Sequence, residues 1–396
     1  MAGTPERVLG FLRDLAARAK PVALTELAEL RAFASEQLGL HDLQPWDVGY
    51  ASEKLRVARY AFEEEQLKPY FSLPNVLAGV LAIATDVFGV RFAERRDVAT
   101  WHPDVQYFDV LDADGAVRAG VYFDHYAREG KRGGAWMDVC RSRLGVTGQI
   151  PVAYLTCNAA PPVEGRPSLL THDDVITLFH EFGHGLHHLL TEIGWPAVSG
   201  ISGVEWDAVE LPSQFMENFG WKREALDRFA RHWQTGETLP DDLFAKMTAA
   251  RHYHAGLFLV RQLEFALFDF RLHLEYDPAR GPRTLEILDE VRAEVSVITP
   301  PAWQRFPHAF THIFAGGYAA GYYSYLWAEV LSADAFGAFE DAAAASGTVF
   351  DAAVGARYRR EILAVGGSRP ALERCIAFRG REPDPMALLK SYGLAA

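Results

Sequence analysis

The sequence predicts a mainly α-helical fold that carries one small β-sheet, an α+β arrangement. Apolar residues recur at helical spacing in residues 1–87 and again in residues 171–396, whereas short β-branched and aromatic runs are confined to residues 88–157. With 396 residues, 49% of them apolar and 23% charged, the chain is long enough to bury a sizeable core. We therefore expect a single domain over residues 1–396, helical at both ends, with the sheet between.

Composition and charge argue against several classes of function. The chain has 39 Lys and Arg against 52 Asp and Glu, a net charge of −13, which disfavours binding to nucleic acid or to an anionic membrane. No secretory signal is apparent, and the longest apolar run, Val76–Ala84, is too short to span a bilayer, so we expect a cytoplasmic protein. Cys140, Cys157 and Cys375 lie far apart and form neither a disulfide framework nor a paired-cysteine metal site.

Several helices are expected in the first third of the chain. Thr4 can cap a first helix, because the proline that follows it is tolerated in an initial helical turn. We expect a second helix after Pro21 and a third after Asp47. The apolar segment 76–87 predicts a buried helix.

Short runs rich in β-branched and aromatic residues predict a sheet of four or five strands. These runs are Phe88–Phe92, Val105–Leu111, Val117–Phe123 and Ile150–Cys157. Residues 112–115, Asp-Ala-Asp-Gly, are typical of a hairpin connection between two of them.

A basic segment precedes a possible edge strand. Arg128, Lys131 and Arg132 are expected in a solvated turn. Residues 133–136, Gly-Gly-Ala-Trp, could then form an edge strand to which a peptide adds by backbone hydrogen bonds.

A metal-binding pattern lies in the helix expected after Thr171, where Asp174 completes a sequence typical of a capping box. The motif His-Glu-Phe-Gly-His places His180 and His184 four residues apart, so one helix face presents both imidazoles to the same point. This spacing suits two ligands of a tetrahedral zinc site. Glu181 lies beside them, where it can take a proton from water.

Zinc needs a third protein ligand, and the residues downstream offer several acidic candidates. These are Glu192, Glu205, Asp207, Glu210 and Glu217. Glu192 follows on the same helix, at least two turns past both histidines, and is too far to reach back. Residues 205–217 predict a second helix, and spacing alone does not choose among its acidic residues. His187 and His188 either line the site or occupy solvated helix positions.

Four segments together resemble the thimet-oligopeptidase (M3) family of zinc metallopeptidases, and the last of them closely resembles its bacterial oligopeptidase A branch. They are His180–His184, Val198–Gly200, Trp206–Asn218 and His312–Trp327, and the resemblance extends from about Pro45 to the C-terminal region. It implies a zincin-like metallopeptidase catalytic domain. It also implies that Glu210 is the third zinc ligand, that Asp207 lies next to the ligands and that Glu217 is structural.

The last of these segments contains a tyrosine-rich block. Tyr318, Tyr322 and Tyr325 have the spacing of one helix face, in a helix expected to start after Gly316 and Gly317. Phenolic hydroxyls aimed at a tetrahedral intermediate would stabilise its oxyanion, although such an aromatic stripe is more often plain core. The resemblance implies that Tyr325 and His312 contact the transition state and that Tyr318 and Tyr322 line the substrate cleft.

The function expected from these residues is that of a zinc endopeptidase acting on short peptides, with one Zn²⁺ per chain. One alternative is a dipeptidyl carboxypeptidase of the same family, which needs a group that captures the free C-terminus of the substrate. Another is a binding module that keeps zinc but does not turn over substrate. Similar enzymes carry a long N-terminal helical region that forms the other wall of a deep channel. We therefore expect a naturally short or truncated form, or a partner chain that completes the channel.

Overall fold

In a computed structural model that describes residues 1–394, the chain has the expected helices and one small sheet. Helices α1–α14 span Pro5–Leu38, Val48–Tyr60, Leu73–Phe88, His172–Leu189, Leu211–Glu217, Arg223–Phe229, Asp241–Ala250, Ala255–Leu274, Thr284–Val295, Thr311–Phe314, Ser324–Ser346, Ala352–Tyr358, Ala371–Arg379 and Met386–Ser391. Strands β1–β5 span Arg91–Glu94, Gln106–Leu111, Val117–Tyr126, Trp136–Arg141 and Val152–Ala159. Within the described residues, no helix is long and apolar enough to cross a membrane.

The chain forms two compact units, each built from separate stretches of sequence. The helical unit comprises residues 1–62 and 246–327 together with the C-terminal segment from Met386. The sheet unit comprises residues 63–245 and 328–385. A single domain over the whole chain stays a prediction.

In the helical unit, the expected break at Pro21 is wrong, because α1 runs unbroken from Pro5 to Leu38. The proline lacks the amide that would bond one turn back, but its ring is exposed and does not disturb packing. Ala23, two residues further on, is fully buried. A Cβ at Gly256 of α8 would lie 2.7 Å from the Ala23 nitrogen, so close packing against α8 keeps this helix continuous.

In the sheet unit, the strand order is β1-β2-β3-β5-β4, with β3 and β5 parallel and the other neighbours antiparallel. Four of the strands lie near their expected positions, although Phe88 belongs to α3 rather than to β1. One of the two edge strands is β4, which starts at Trp136. The edge strand expected at residues 133–136 is therefore wrong for the three residues before Trp136. Half-exposed edge positions give only a weak apolar pattern.

The basic segment after β3 is not a solvated turn as a whole. The side chain of Lys131 is buried, and its ammonium group donates to the backbone oxygen and the carboxylate of Asp124 at 2.9 and 2.8 Å. Arg128 donates to both oxygens of the same carboxylate, while Arg132 is exposed. Burial alone would raise the pKa of Asp124, but these hydrogen bonds outweigh it and hold that pKa below its ordinary value.

Helix α4 packs on the sheet through aromatic side chains. The ring of Phe182 lies 5.7 Å from that of Phe92 and 6.2 Å from that of Phe123, measured between centroids. On another side of the helix, Phe179 lies 5.8 Å from Phe229 of α6. Packing on both sides fixes the rotation of α4 and therefore the direction in which its polar residues point.

Candidate metal centre

The histidine motif lies in a regular helix with a well-formed start. The expected capping box is confirmed: the Thr171 hydroxyl accepts from the Asp174 amide at 3.0 Å, and the Asp174 carboxylate accepts from the Thr171 amide at 2.9 Å. The helix then continues to Leu189, which keeps His180 and His184 on one face. Their ring centroids are 5.0 Å apart.

Gly183 brings a second helix against this face. A Cβ at Gly183 would lie 2.2 Å from the Pro212 carbonyl oxygen, so only glycine allows α4 and α5 to approach this closely. The single helix expected over residues 205–217 is instead a 3₁₀ turn at Trp206–Ala208 followed by α5. Pro212 has no amide to donate and therefore suits the first turn of α5. Glu210 immediately precedes that turn.

The close approach of the two helices brings three possible ligands together. Oε2 of Glu210 lies 3.3 Å from Nε2 of His180 and 3.1 Å from Nε2 of His184. One ligand atom from each residue lies within 4.8 Å of the other two. Two imidazoles and a carboxylate are the donor set of many catalytic zinc sites, in which a fourth position is left for water or substrate. The residues therefore fit a zinc ion.

Neighbouring groups orient two of these ligands. Nδ1 of His180 lies 2.6 Å from a carboxylate oxygen of Glu217, a contact that leaves Nε2 on the side of Glu210. The Ser213 hydroxyl donates to Oε2 of Glu210 at 3.0 Å. Glu217 thus contacts a possible ligand directly, whereas the family resemblance implied only a structural role for it. Glu217 follows Glu210 by seven residues, which is two helical turns along one face, and this spacing was the signal in the sequence that could have indicated the contact.

Charge inside the cluster is strongly coupled. Burial alone would lower the pKa of His180, but hydrogen bonds and charge from Glu210 and Glu217 outweigh it and raise that pKa well above its ordinary value. Burial would raise the pKa of Glu210, but both histidines outweigh it and lower that pKa well below its ordinary value. The buried carboxylate of Glu210 therefore stabilises positive charge between the two imidazoles, and a site that binds a metal cation needs this property.

Glu181 lies on the same helix as the two histidines but is not one of the three possible ligands. It is buried, with 6% of its surface exposed, and among residues 1–394 its Oε2 atom has no hydrogen-bond partner. Burial raises the pKa of this carboxyl group. A buried carboxylate oxygen that is not hydrogen-bonded to the protein can exchange a proton with a bound molecule.

The other polar residues near the motif have different surroundings. His187 and His188 are fully buried, so the solvated alternative is wrong for both, and His188 contacts the Arg141 carbonyl oxygen at 2.8 Å.

Asp207 is buried in the 3₁₀ turn that precedes α5. The other two acidic candidates have contacts elsewhere, with Glu205 accepting from the Ala371 amide and Glu192 lying 3.7 Å from Arg118.

The tyrosine-rich block belongs to the helical unit and is not the helix that its spacing predicts. Helix α10 ends at Phe314, turns follow, and α11 begins only at Ser324. Tyr318 and Tyr322 therefore lie in turns, and Tyr325 lies in the first turn of α11.

A buried carboxylate accounts for this irregular conformation. Asp269 of α8 is fully buried and accepts from the Ala320 amide at 2.9 Å and from the Tyr322 amide at 2.8 Å. Ala320 has a φ of 55°, in the left-handed region that side chains rarely adopt. In a regular helix these backbone amides would donate to carbonyl groups of the same helix. Here they donate to a side chain of another helix.

The aromatic side chains of this block nevertheless meet. The ring of Tyr325 stacks on that of Tyr318 at 4.9 Å and lies 5.2 Å from that of Tyr322 and 6.3 Å from that of His312. Tyr322 is buried, and its hydroxyl donates to the Gln262 side chain at 3.0 Å. The block thus forms one cluster, in which His312 is exposed.

Comparison with known proteins gives consistent matches over the whole chain. The family model described as Peptidase family M3 matches residues 1–394. Oligopeptidase A of Salmonella typhimurium is 53% identical over 397 residues, covering 100% of this chain and 58% of that protein. Dipeptidyl carboxypeptidase of Escherichia coli is 37% identical over 397 residues, covering 100% of this chain and 57% of that protein. The chain therefore spans less than two thirds of the length of these relatives.

Solved structures agree on the fold. PZ peptidase A with inhibitor 2 superposes with a TM-score of 0.54 at 14% sequence identity, over 98% of this chain and 57% of that one. An M32 carboxypeptidase from Deinococcus radiodurans superposes with a TM-score of 0.50 at 15% identity, over 96% of this chain and 74% of that one. At such low identity, these matches support the architecture alone.

Proposed function

The chain belongs to peptidase family M3, and from that premise we propose that it is a zinc-dependent endopeptidase that hydrolyses short oligopeptides. The observation that carries the proposal is the convergence of His180, His184 and Glu210 within 4.8 Å. The helix that holds the two histidines also holds Glu181, whose Oε2 atom has no hydrogen-bond partner among residues 1–394. A cytoplasmic location stays a prediction.

Zinc would be held by the Nε2 atoms of His180 and His184 and by Oε2 of Glu210, one ion per chain. When bound, it would polarise the peptide carbonyl and lower the pKa of water. Glu217 keeps His180 in the orientation and tautomer in which Nε2 is free to coordinate. Ser213 holds the Glu210 oxygen in place.

Glu181 supplies the proton transfer that peptide hydrolysis needs. Its carboxylate accepts a proton from the attacking water and then donates it to the nitrogen of the leaving amine. Burial supports this assignment, because it keeps the Glu181 carboxylate away from bulk solvent, as the raised pKa of this group also reflects. The missing partner at Oε2 leaves that oxygen free for the water.

The tyrosine block enters this proposal through the family resemblance. Tyr325 and His312 are assigned to contact the transition state, and Tyr318 and Tyr322 to line the substrate cleft. The cluster formed by these rings in the helical unit supports a shared role for them. The hydrogen bond of the Tyr322 hydroxyl to Gln262 favours a positioning role for that residue.

A second candidate activity is that of a dipeptidyl carboxypeptidase, because a protein of that name is 37% identical to this chain. Such an enzyme must recognise the free carboxylate at the end of its substrate. We assign no residue of the chain to that task, and the higher identity to oligopeptidase A favours the endopeptidase. A third candidate is a module that binds zinc without turnover.

Hydrolysis by the purified chain separates these three candidates. The endopeptidase proposal expects steady cleavage of peptides with free and with amidated C-termini, loss of activity with a chelator, and recovery with zinc. Cleavage of the free-ended peptides alone would establish the carboxypeptidase instead. Full zinc occupancy without any cleavage would establish the binding module.

A further inference from the structure

One face of α8 supports the tyrosine-rich block. Gln262, Phe265 and Asp269 have the spacing of a single helix face. All three contact Tyr322, whose amide donates to Asp269 at 2.8 Å and whose hydroxyl donates to Gln262 at 3.0 Å. The ring of Phe265 meets that of Tyr322 edge to face, at 5.8 Å between centroids. Helix α8 therefore holds this tyrosine at its backbone, its ring and its hydroxyl.

The two hydrogen bonds to Tyr322 restrict different motions. Asp269 fixes the main chain, but a tyrosine with a fixed main chain can still turn about its side-chain bonds. The hydrogen bond to Gln262 restricts that rotation, because it fixes the far end of the side chain. Tyr322 is 8% exposed, and a buried hydroxyl without a partner is unfavourable. Gln262 thus sets the direction of the Tyr322 ring.

The direction of this ring matters for Tyr325, the residue assigned to contact the transition state. The Tyr322 ring lies 5.2 Å from that of Tyr325, which also stacks on Tyr318 at 4.9 Å. Tyr318 and Tyr325 are half-buried, whereas Tyr322 is buried. The buried ring thus links Tyr325 to α8. A displacement of about 1 Å at a group that contacts the transition state can lower the rate roughly 10²-fold.

We propose that Gln262 is a positioning residue for peptide hydrolysis, because it fixes the Tyr322 ring against which Tyr325 packs. It acts through these two rings, without contact with the substrate. The inference rests on the proposed peptidase activity and on the role assigned there to Tyr325. What the position requires is one oxygen that accepts one hydrogen bond, so another side chain of the same length with an acceptor should serve as well.

Two substitutions at Gln262 separate the hydrogen bond from packing. Gln262→Met keeps the length of the side chain but removes the acceptor, so kcat should fall roughly tenfold while KM stays within about twofold of the parent value. Gln262→Glu keeps an acceptor for the Tyr322 hydroxyl and should retain at least about half of the parent kcat. An equal fall in kcat for both variants would overturn the role of the hydrogen bond.

Gln304→Met is the matched control, since it makes the same substitution in the helical unit. Gln304 is also half-buried, and its side-chain oxygen accepts from Arg292 rather than from a tyrosine. Both methionine variants should lose a similar, small amount of thermal stability, but Gln304→Met should keep the parent kcat. Equal kcat in Gln262→Met and Gln304→Met would overturn the proposal, because a structural glutamine changes the melting temperature alone.

A double-mutant cycle tests whether the effect passes through Tyr325. In a Tyr325→Phe background the hydroxyl is already absent, so Gln262→Met should lower kcat by less than about twofold. A fall in that background as large as in the parent would overturn the proposed route. If Gln262→Met does not fold, Tyr322→Phe removes the same hydrogen bond at its donor and takes its place in the cycle.

Failure of this inference differs from failure of the proposed function. No hydrolysis by the parent chain would refute the peptidase and the positioning role together. Hydrolysis by the parent with unchanged kcat in Gln262→Met would overturn the positioning role alone.

Discussion

The metal cluster of α4 and α5 and the tyrosine block of residues 312–325 both carry long sequence motifs, yet they fold according to different rules. In the first, a regular helix places His180 and His184 side by side. In the second, an apparent helical spacing is interrupted by turns, and the carboxylate of Asp269 holds the backbone. Periodicity is reliable where the helix satisfies its own amides, and it fails where a distant side chain takes them.

The largest effect is expected at the regular helix. His184→Ala should lose both zinc and turnover, because His180 and Glu210 alone form a poor zinc site. Metal analysis of the purified variant, together with peptide hydrolysis, measures both. Full zinc content in this variant would show that another residue completes the cluster.

Tyr325→Phe tests the tyrosine block at its proposed functional group. Loss of one hydroxyl that contacts the transition state lowers kcat by about 10²–10³-fold and changes KM little. Zinc content and melting temperature should match those of the parent chain. A lower melting temperature with normal kcat would instead make Tyr325 an ordinary packing residue.

Glu217→Gln tests the metal cluster in more detail, because Glu217 orients the proposed ligand His180 but is not itself a proposed ligand. The neutral amide keeps the shape but weakens the contact with Nδ1 of His180. Such partners contribute roughly 10–100-fold to metal affinity. Competition with a chelator of known affinity measures the change, and Glu192→Gln, at a distant exposed position, is the control. Equal zinc affinity in both variants would remove Glu217 from the site.

Asp269→Asn tests how the tyrosine block is held. The amide keeps one acceptor and places a donor against a backbone amide, so the variant should lose about 1.5–3 kcal/mol of stability, the contribution of one charged hydrogen bond. Hydrogen exchange at residues 315–323 should accelerate, with zinc content unchanged. Unchanged exchange there would show that the turns do not depend on Asp269.

The parts of the fold that could be derived from the sequence are those governed by local rules. Capping by Thr171 and the spacing of the two histidines require only helix geometry. The choice of Glu210 required the family resemblance, because its position depends on the close approach of two helices at Gly183. The contact of Glu217 with His180 also depends on this tertiary packing, and spacing gave only a weak signal for it.

The remaining errors have the same physical origin. Pro21 was expected to end a helix, but exposure of its ring and packing of Ala23 keep α1 intact. Lys131 was expected in solvent, but the buried carboxylate of Asp124 draws it inside. In each case the conformation depends on a contact that is distant in sequence or that the periodicity of apolar residues does not reveal.

Glu181→Gln tests the central claim most directly, because it changes one proton acceptor and leaves all three metal ligands in place. The amide cannot accept a proton, so kcat should fall by at least about 10²–10⁴-fold, while zinc content and melting temperature stay at the parent values. Zinc content and kcat measured on the same preparation give the answer. Normal turnover by the zinc-loaded variant would contradict the account.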